Sequence, residues 1–213
     1  MPLIVLEGPE GAGKTTQLAR LAERLTAEGK KVVSLREPGG TLLGDSIRAV
    51  LLDPAQHIDA AAEALLFMAS RAQLVEWEIK PALASGAVVL LDRFFLSTYA
   101  YQVRGRGLDE KGVIAANKLA TAGVKPDLTI LLSLPVEEGL ARAQKRGAKD
   151  RIEQAESAFH QRVGGAFKEF AGAAWQKKHP EAGPIATVDA TGSVDDVHAR
   201  VIAAVKTALS IRA

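Results

Sequence analysis

Gly8-Pro9-Glu10-Gly11-Ala12-Gly13-Lys14-Thr15 fits the pattern G-x-x-x-x-G-K-[ST] at every fixed position. The glycines let the backbone turn sharply and aim successive N–H groups inward, making an anion nest at the start of the following helix. Lys14 then reaches the β- and γ-phosphates of a nucleotide, Thr15 offers its hydroxyl to Mg²⁺, and Thr16 completes the first turn. A glycine turn before an ordinary helix is the bland alternative. The context opposes it, because an apolar strand, Leu3 to Leu6, precedes the match and a periodic helix with Leu18, Leu21, Ala22 and Leu25 follows.

Other residues of chemical interest lie at predicted strand ends. Val88 to Leu91 is a continuous apolar run, as in a strand buried on both faces of a parallel sheet, and Asp92-Arg93 follows at once. A carboxylate leaving such a strand beside a phosphate loop suits Mg²⁺, held directly or through water, and Arg93 suits phosphate oxygens. Arg36-Glu-Pro-Gly-Gly40 ends a second predicted strand, Val32 to Leu35, read as buried, at the C-terminal edge where open α/β sheets bind ligands. Phe67 and Arg71 stand four apart in a predicted helix, so an aromatic plate and a fork of donors share one face. Arg142 to Arg151 is a basic stretch broken by Gly147, read as a lid over roughly residues 142–153 that lays arginines over a nucleotide.

The elements that must position these residues alternate in type. A short helix spans Leu42 to Leu52, and Asp59 is read as the cap of a long one reaching Ala84 with Leu65, Leu66 and Met68 in its apolar set. Arg104-Gly-Arg-Gly107 reads as a loop, Asp109 to Ala122 as a helix, and Leu128 to Leu132 as the fourth strand. A mainly helical stretch runs from Glu153 to Lys178, Ile185 to Val188 forms a fifth strand, and Ser193-x-x-Asp196 opens a terminal helix in capping-box style. Strand and helix in alternation call for an α/β fold with a parallel sheet covered on both sides.

The chain has 213 residues, 47% of them hydrophobic, enough for a real core, and no linker divides it, so a single domain is expected. A net charge of +2 does not suit coating a nucleic-acid polymer. The absence of cysteine removes disulfides and thiolate metal sites and suits a reducing compartment. Met1-Pro2 leads straight into the first strand, and no apolar run approaches membrane-spanning length, so a cytoplasmic enzyme without a membrane partner is expected.

Taken together these segments resemble the thymidylate kinases. The resemblance rests on Glu7 to Thr16, Arg36 to Thr41, Phe67 with Arg71, Asp92-Arg-Phe94, Ser97-Thr98 with Tyr101-Gln102, and Asp150-Arg-Ile-Glu153. It implies a P-loop nucleoside monophosphate kinase fold with a five-stranded parallel sheet, a homodimer, and transfer of the ATP γ-phosphoryl to dTMP with Mg²⁺, a step toward dTTP. It further implies Arg36 and Arg93 on the dTMP phosphate, Phe67 stacked on thymine, and Arg71, Thr98 and Gln102 around the base, with Ser97 nearby. Tyr101 would lie by the deoxyribose and Glu10 near its 3′-hydroxyl, while Arg142 would lie by ATP. Because the P-loop lacks arginine and the lid is rich in it, the chain resembles the bacterial subtype whose lid supplies the catalytic arginines, here Arg146 and Arg151.

Two features depart from the family's usual pattern. Gly164 and Phe167 replace an arginine and a tyrosine, and the pair Gly164-Gly165 is expected to weaken its helix. Arg104 stands where glycine is common. The alternatives are a kinase for another pyrimidine nucleotide or a nucleoside, and a P-loop switch protein. Arg36, Arg71 and Arg93 favour a phosphorylated acceptor over a nucleoside. Asn117-Lys-Leu-Ala120 lacks the aspartate of a guanine motif and precedes a strand instead of following one, which opposes a GTPase.

Overall fold

Five short apolar runs become the strands β1 (Leu3–Glu7), β2 (Val32–Arg36), β3 (Val88–Asp92), β4 (Leu128–Ser133) and β5 (Ile185–Asp189). The computed structural model describes residues 1–145 and 150–210. The strands pair in parallel in the order β2-β3-β1-β4-β5. Among them run α1 (Lys14–Ala27), α2 (Leu42–Leu52), α3 (Ala60–Leu74), α4 (Lys80–Ala84), α5 (Phe95–Thr98), α6 (Glu110–Thr121) and α7 (Val136–Gln144). Three more follow, α8 (Ser157–Phe170), α9 (Ala173–Lys178) and α10 (Val194–Ser210).

Because side chains alternate along a strand, the sheet feeds two cores. On one face Ile4, Leu6, Leu90 and Ile130 pack with Leu18 and Leu21 of α1 and Val201 and Val205 of α10. On the other, Leu3, Val5, Val89 and Leu91 pack with Leu74, Phe94, Val163 and Phe170. β1 is central, with β3 on one side and β4 on the other, so the chain's path reverses across its C-terminal end. Such a switch point is where open α/β sheets bind ligands, and the glycine loop leaves β1 there.

Several local expectations are corrected. Val32 to Leu35 does not form a buried strand: β2 is an edge strand, half-buried to exposed, because it has a sheet neighbour on one side only. Asp59 precedes α3 but its side chain makes no capping bond. The long helix to Ala84 passes through a π-helical stretch, Val75–Ile79, and Leu65 faces outward at 62% exposure instead of joining the core. Arg104-Gly-Arg-Gly107 is no free loop, since a π-helix spans Tyr99–Gly105 and Arg104 pairs with both Glu110 and Glu169. The stretch from Glu153 to Lys178 divides into α8 and α9.

The capping box is realised as expected: Ser193 N donates to Asp196 Oδ2 at 3.1 Å and Asp196 N donates to Ser193 Oγ at 3.2 Å. α8 is continuous through Gly164-Gly165, and Gly164 has a reason to be there. A Cβ on Gly164 would lie 2.2 Å from Val136 Cγ2, so the glycine lets α8 approach α7, whereas a Cβ on Gly165 would meet open space. Phe167, in place of a tyrosine, is buried against Tyr101 and Phe170 and has no polar tip to satisfy.

Candidate active site

A cleft of about 1040 Å³ runs over the C-terminal end of the sheet, with the glycine loop at its middle. The loop is held from below by backbone against backbone. A Cβ on Gly11 would lie 2.0 Å from the carbonyl oxygen of Gly139 in α7, so only glycine fits. Gly13, in the left-handed region at φ 86°, precedes α1 without a side-chain cap. The first N–H groups of α1 are therefore left for a ligand at the helix N-terminus.

Lys14 Nζ donates to the carbonyl oxygens of Gly8 at 3.0 Å and Pro9 at 2.8 Å, so these two residues cradle the lysine instead of lining the cleft. Burial and the nearby Arg93 push the Lys14 ammonium down to about 8. Thr15 Oγ1 donates to Asp92 Oδ2 at 2.6 Å, bringing together two residues 77 positions apart. A hydroxyl and a carboxylate facing the phosphate loop are hard oxygen donors, the set that suits Mg²⁺ with water and phosphate completing its shell. Among the described residues no group of three or more histidine, cysteine or carboxylate side chains could hold a metal ion.

Arg93 follows β3 with φ 72°, a left-handed conformation that a side chain seldom adopts, and its guanidinium lies across the cleft. It donates to Glu10 Oε1 at 2.6 Å, Ser97 Oγ at 2.9 Å and Gly8 O at 3.2 Å. Burial opposes its charge, but Glu10 and further acidic neighbours hold the guanidinium above its ordinary range. Tyr101 Oη donates to the same Glu10 oxygen at 2.7 Å, and the Arg93 guanidinium lies 5.2 Å from its ring centroid. Ser97 is bonded in turn to the fully buried Glu7, which also accepts from Phe94 N and thereby fixes the turn after β3.

Arg36 also lines the cleft, largely exposed and 3.4 Å from Asp45. Beside it is Arg48 of α2, a residue the sequence reading missed. Arg48 NH1 donates to Pro38 O at 2.9 Å, and burial together with Arg36 lowers its pKa. The signal was present: positions 44, 47, 48 and 51 form one inward stripe of α2, otherwise Gly, Ile and Leu.

At the other end, Phe67, Arg71, Thr98, Tyr101 and Gln102 converge as expected. Arg71 is not a free fork, however. Its Nε and NH2 donate to Glu37, NH1 to Thr98 Oγ1 and Asn117 Oδ1, and NH2 also to Phe94 O, so all five N–H groups are in use. Burial pushes the Glu37 carboxyl up while Arg71 opposes that shift. A base edge meets Arg71 only by sharing one of these bonds.

Arg142 lines the side of the cleft away from Phe67, donating to Ala190 O at 3.2 Å and Glu138 at 2.6 Å. Arg151 does not line the cleft: it donates to Glu63 Oε2 at 2.6 Å and Leu51 O at 2.8 Å, in a separate hollow beside His57 and Arg106. Arg146 lies outside the described residues. No described helix is long and apolar enough to cross a membrane.

Residues 6–201 match the family model for thymidylate kinase. The chain is 48% identical over 202 residues to the thymidylate kinase of Deinococcus radiodurans, covering 95% of each chain. It is 46% identical over 210 residues to that of Exiguobacterium sibiricum, covering 98% of this chain and 96% of the relative. The crystal structure of thymidylate kinase from Ehrlichia chaffeensis superposes with a TM-score of 0.74 at 34% identity, covering 96% of this chain and 98% of that one.

Proposed function

This chain belongs to the thymidylate kinase family, and from that membership we infer that it phosphorylates dTMP to dTDP, with ATP as donor and Mg²⁺ as its companion ion. The observation that carries this reading is the convergence of Lys14, Arg93 and the Thr15–Asp92 pair at the middle of a two-ended cleft. One end offers an aromatic plate and amide and hydroxyl groups for a base. The other, between Arg142 and the turn at Gly192, has room for the donor nucleoside.

In the reaction, an oxygen of the dTMP phosphate attacks the γ-phosphorus, that P–O bond forms, and the bond to the β–γ bridging oxygen breaks to release ADP. Lys14 and the first N–H groups of α1 hold the β- and γ-phosphates, so Lys14 exchanges two carbonyl partners for charged oxygens. Arg93, Arg36 and Arg48 offset the charge of the acceptor phosphate. Thr15 and Asp92 hold Mg²⁺, which when bound neutralises phosphate charge. Phe67 stacks on thymine, with Arg71, Thr98 and Gln102 around its edge, and Glu10 and Tyr101 face the deoxyribose. We assign the catalytic lid arginine to Arg146, and give Arg151 the task of anchoring the lid's end through Glu63. The region 142–153 is the lid that excludes water from a single kinase domain.

We also propose a homodimer in the cytoplasm. Leu65 at 62% and Leu119 at 84% exposure stand on neighbouring helices α3 and α6, and α2 beside them exposes Leu42 and Leu43. Covering such leucines with a second copy removes them from water.

The functional reading is tested by measuring ADP formation with ATP, Mg²⁺ and a panel of nucleosides and nucleoside monophosphates. Turnover greatest with dTMP is expected; equal turnover with a nucleoside or with no acceptor would overturn it. Sedimentation of wild type and Leu119→Lys tests the dimer.

A further inference from the structure

Glu63 of α3 is 1% exposed and lies behind the base end of the cleft, where it belongs to no phosphate or metal set. It accepts four hydrogen bonds: two from Arg106, one from Arg151, and one from Gln102 Nε2 at 3.1 Å. Burial alone would raise its carboxyl, but the two arginines hold it below the ordinary carboxylate range. Glu63 is therefore an ionised carboxylate, able only to accept.

That has a consequence for Gln102, which is 2% exposed and lines the cleft. A glutamine amide can present either its oxygen or its NH₂ group, and only its partners decide which. An acceptor-only neighbour binds the NH₂, so Oε1 is the amide atom left over. Among the described residues Oε1 has no hydrogen-bond partner, yet it is not one of the fully enclosed unpartnered atoms. It is a spare acceptor open to the cleft.

We propose that Glu63 is a positioning residue for base selection: by binding Gln102 Nε2 it presents Gln102 Oε1 to the pyrimidine, selecting a base with N3–H. Thymine and uracil carry that hydrogen. Cytosine has a bare acceptor at N3, so two acceptors would face each other with neither satisfied. This inference rests on the reading that the cleft takes dTMP. Discrimination against cytosine then rests in part on an amide whose polarity is set by a carboxylate that does not itself line the cleft.

The test compares kcat/KM for dTMP and dCMP in wild type, Glu63→Gln and Arg106→Gln, with thermal unfolding of each. A glutamine at 63 can donate to Gln102 Oε1 and let Nε2 turn to the cleft, so the dTMP preference falls by about tenfold or more. Arg106→Gln disturbs the same ion-pair cluster but leaves residue 63 acceptor-only, so its preference stays at the wild-type value even as its Tm drops. A preference unmoved in Glu63→Gln, or lowered equally in both variants, overturns the proposal. If Glu63→Gln does not fold, Gln102→Met decides: a fall in preference supports the assignment and an unchanged one overturns it. A wild type that does not turn over dTMP overturns the functional reading and this inference together. One that does, with the preference unmoved in the variant, overturns the inference alone.

Discussion

The two ends of the acceptor side use charge in opposite ways. Around the phosphate loop, Lys14, Arg93, Arg36 and Arg48 crowd one another closely enough that burial and Arg93 depress Lys14 to about 8, and burial and Arg36 lower the pKa of Arg48. At the base end, the cations are consumed within the protein: Arg71 on Glu37, and Arg106 and Arg151 on Glu63. Arg93 and Arg36 have Glu10 and Asp45 beside them, but Lys14 and Arg48 are held only by carbonyl oxygens, and such positive charge is costly until an anion arrives, so it marks where phosphates bind. Paired charge carries no such demand; it serves as a rigid wall that fixes the polarity of neutral groups such as Thr98 and Gln102.

The largest effect is expected where the phosphate end loses its central cation. Lys14→Ala should lower kcat/KM by about 10³-fold or more without lowering Tm, because the removed ammonium is a buried charge held by carbonyl oxygens. Near-normal turnover with ATP and dTMP would break the contrast at its root. Next, the two lid arginines should separate. Arg146→Ala lowers kcat by about 10³-fold or more, as for an arginine meeting transition-state charge, whereas Arg151→Ala mainly lowers Tm through the loss of its bond to Glu63. Single-turnover rates and unfolding curves on both variants check this, and equal kinetic losses would return Arg151 to the catalytic set.

At the base end, removing a paired charge should hurt the fold first. Arg71→Ala leaves Glu37 buried without its partner and should cost about 3 to 5 kcal/mol of stability in denaturant titration. A variant as stable as wild type would mean that the pair is no wall. The phosphate end, by contrast, should show its strain as pH dependence. Lys14 binds phosphate as the cation, and its pKa near 8 in the free protein lies below its unfolded value of 10.5. kcat/KM for ATP should therefore be flat below that pKa and fall about tenfold per pH unit above it. For stability the sign is opposite: the unfolded chain binds the proton more tightly, so this lysine's contribution to stability rises with pH from about 8 toward 10.5. An activity profile flat through pH 9 would remove the strain.

The smallest effects belong to the support behind the loop. Gly164→Ala drives a methyl into Val136 and should cost about 1 to 3 kcal/mol. Gly165→Ala meets open space and should gain up to about 1 kcal/mol through helix propensity. Unfolding midpoints moving the same way would show that α8 does not approach α7 through Gly164.

The phosphate loop, the strands and their alternation were legible because the relevant forces act between near neighbours. Glycine spacing shapes one turn, and apolar runs of period two or near-continuous burial mark strands. Asp92 could be tied to the loop because a strand end is a fixed place in a parallel sheet. What the chain alone did not disclose was which of its many arginines would be spent. Arg71, Arg151 and Arg48 look alike as letters, yet one is saturated by Glu37, Thr98 and Asn117, one turns away from the cleft to the buried Glu63, and one stays in the cleft. Those outcomes depend on carboxylates 34 and 88 residues away along the chain. They are decided only when burial raises the cost of an unpaired charge enough to force each cation onto a partner or leave it waiting for a ligand.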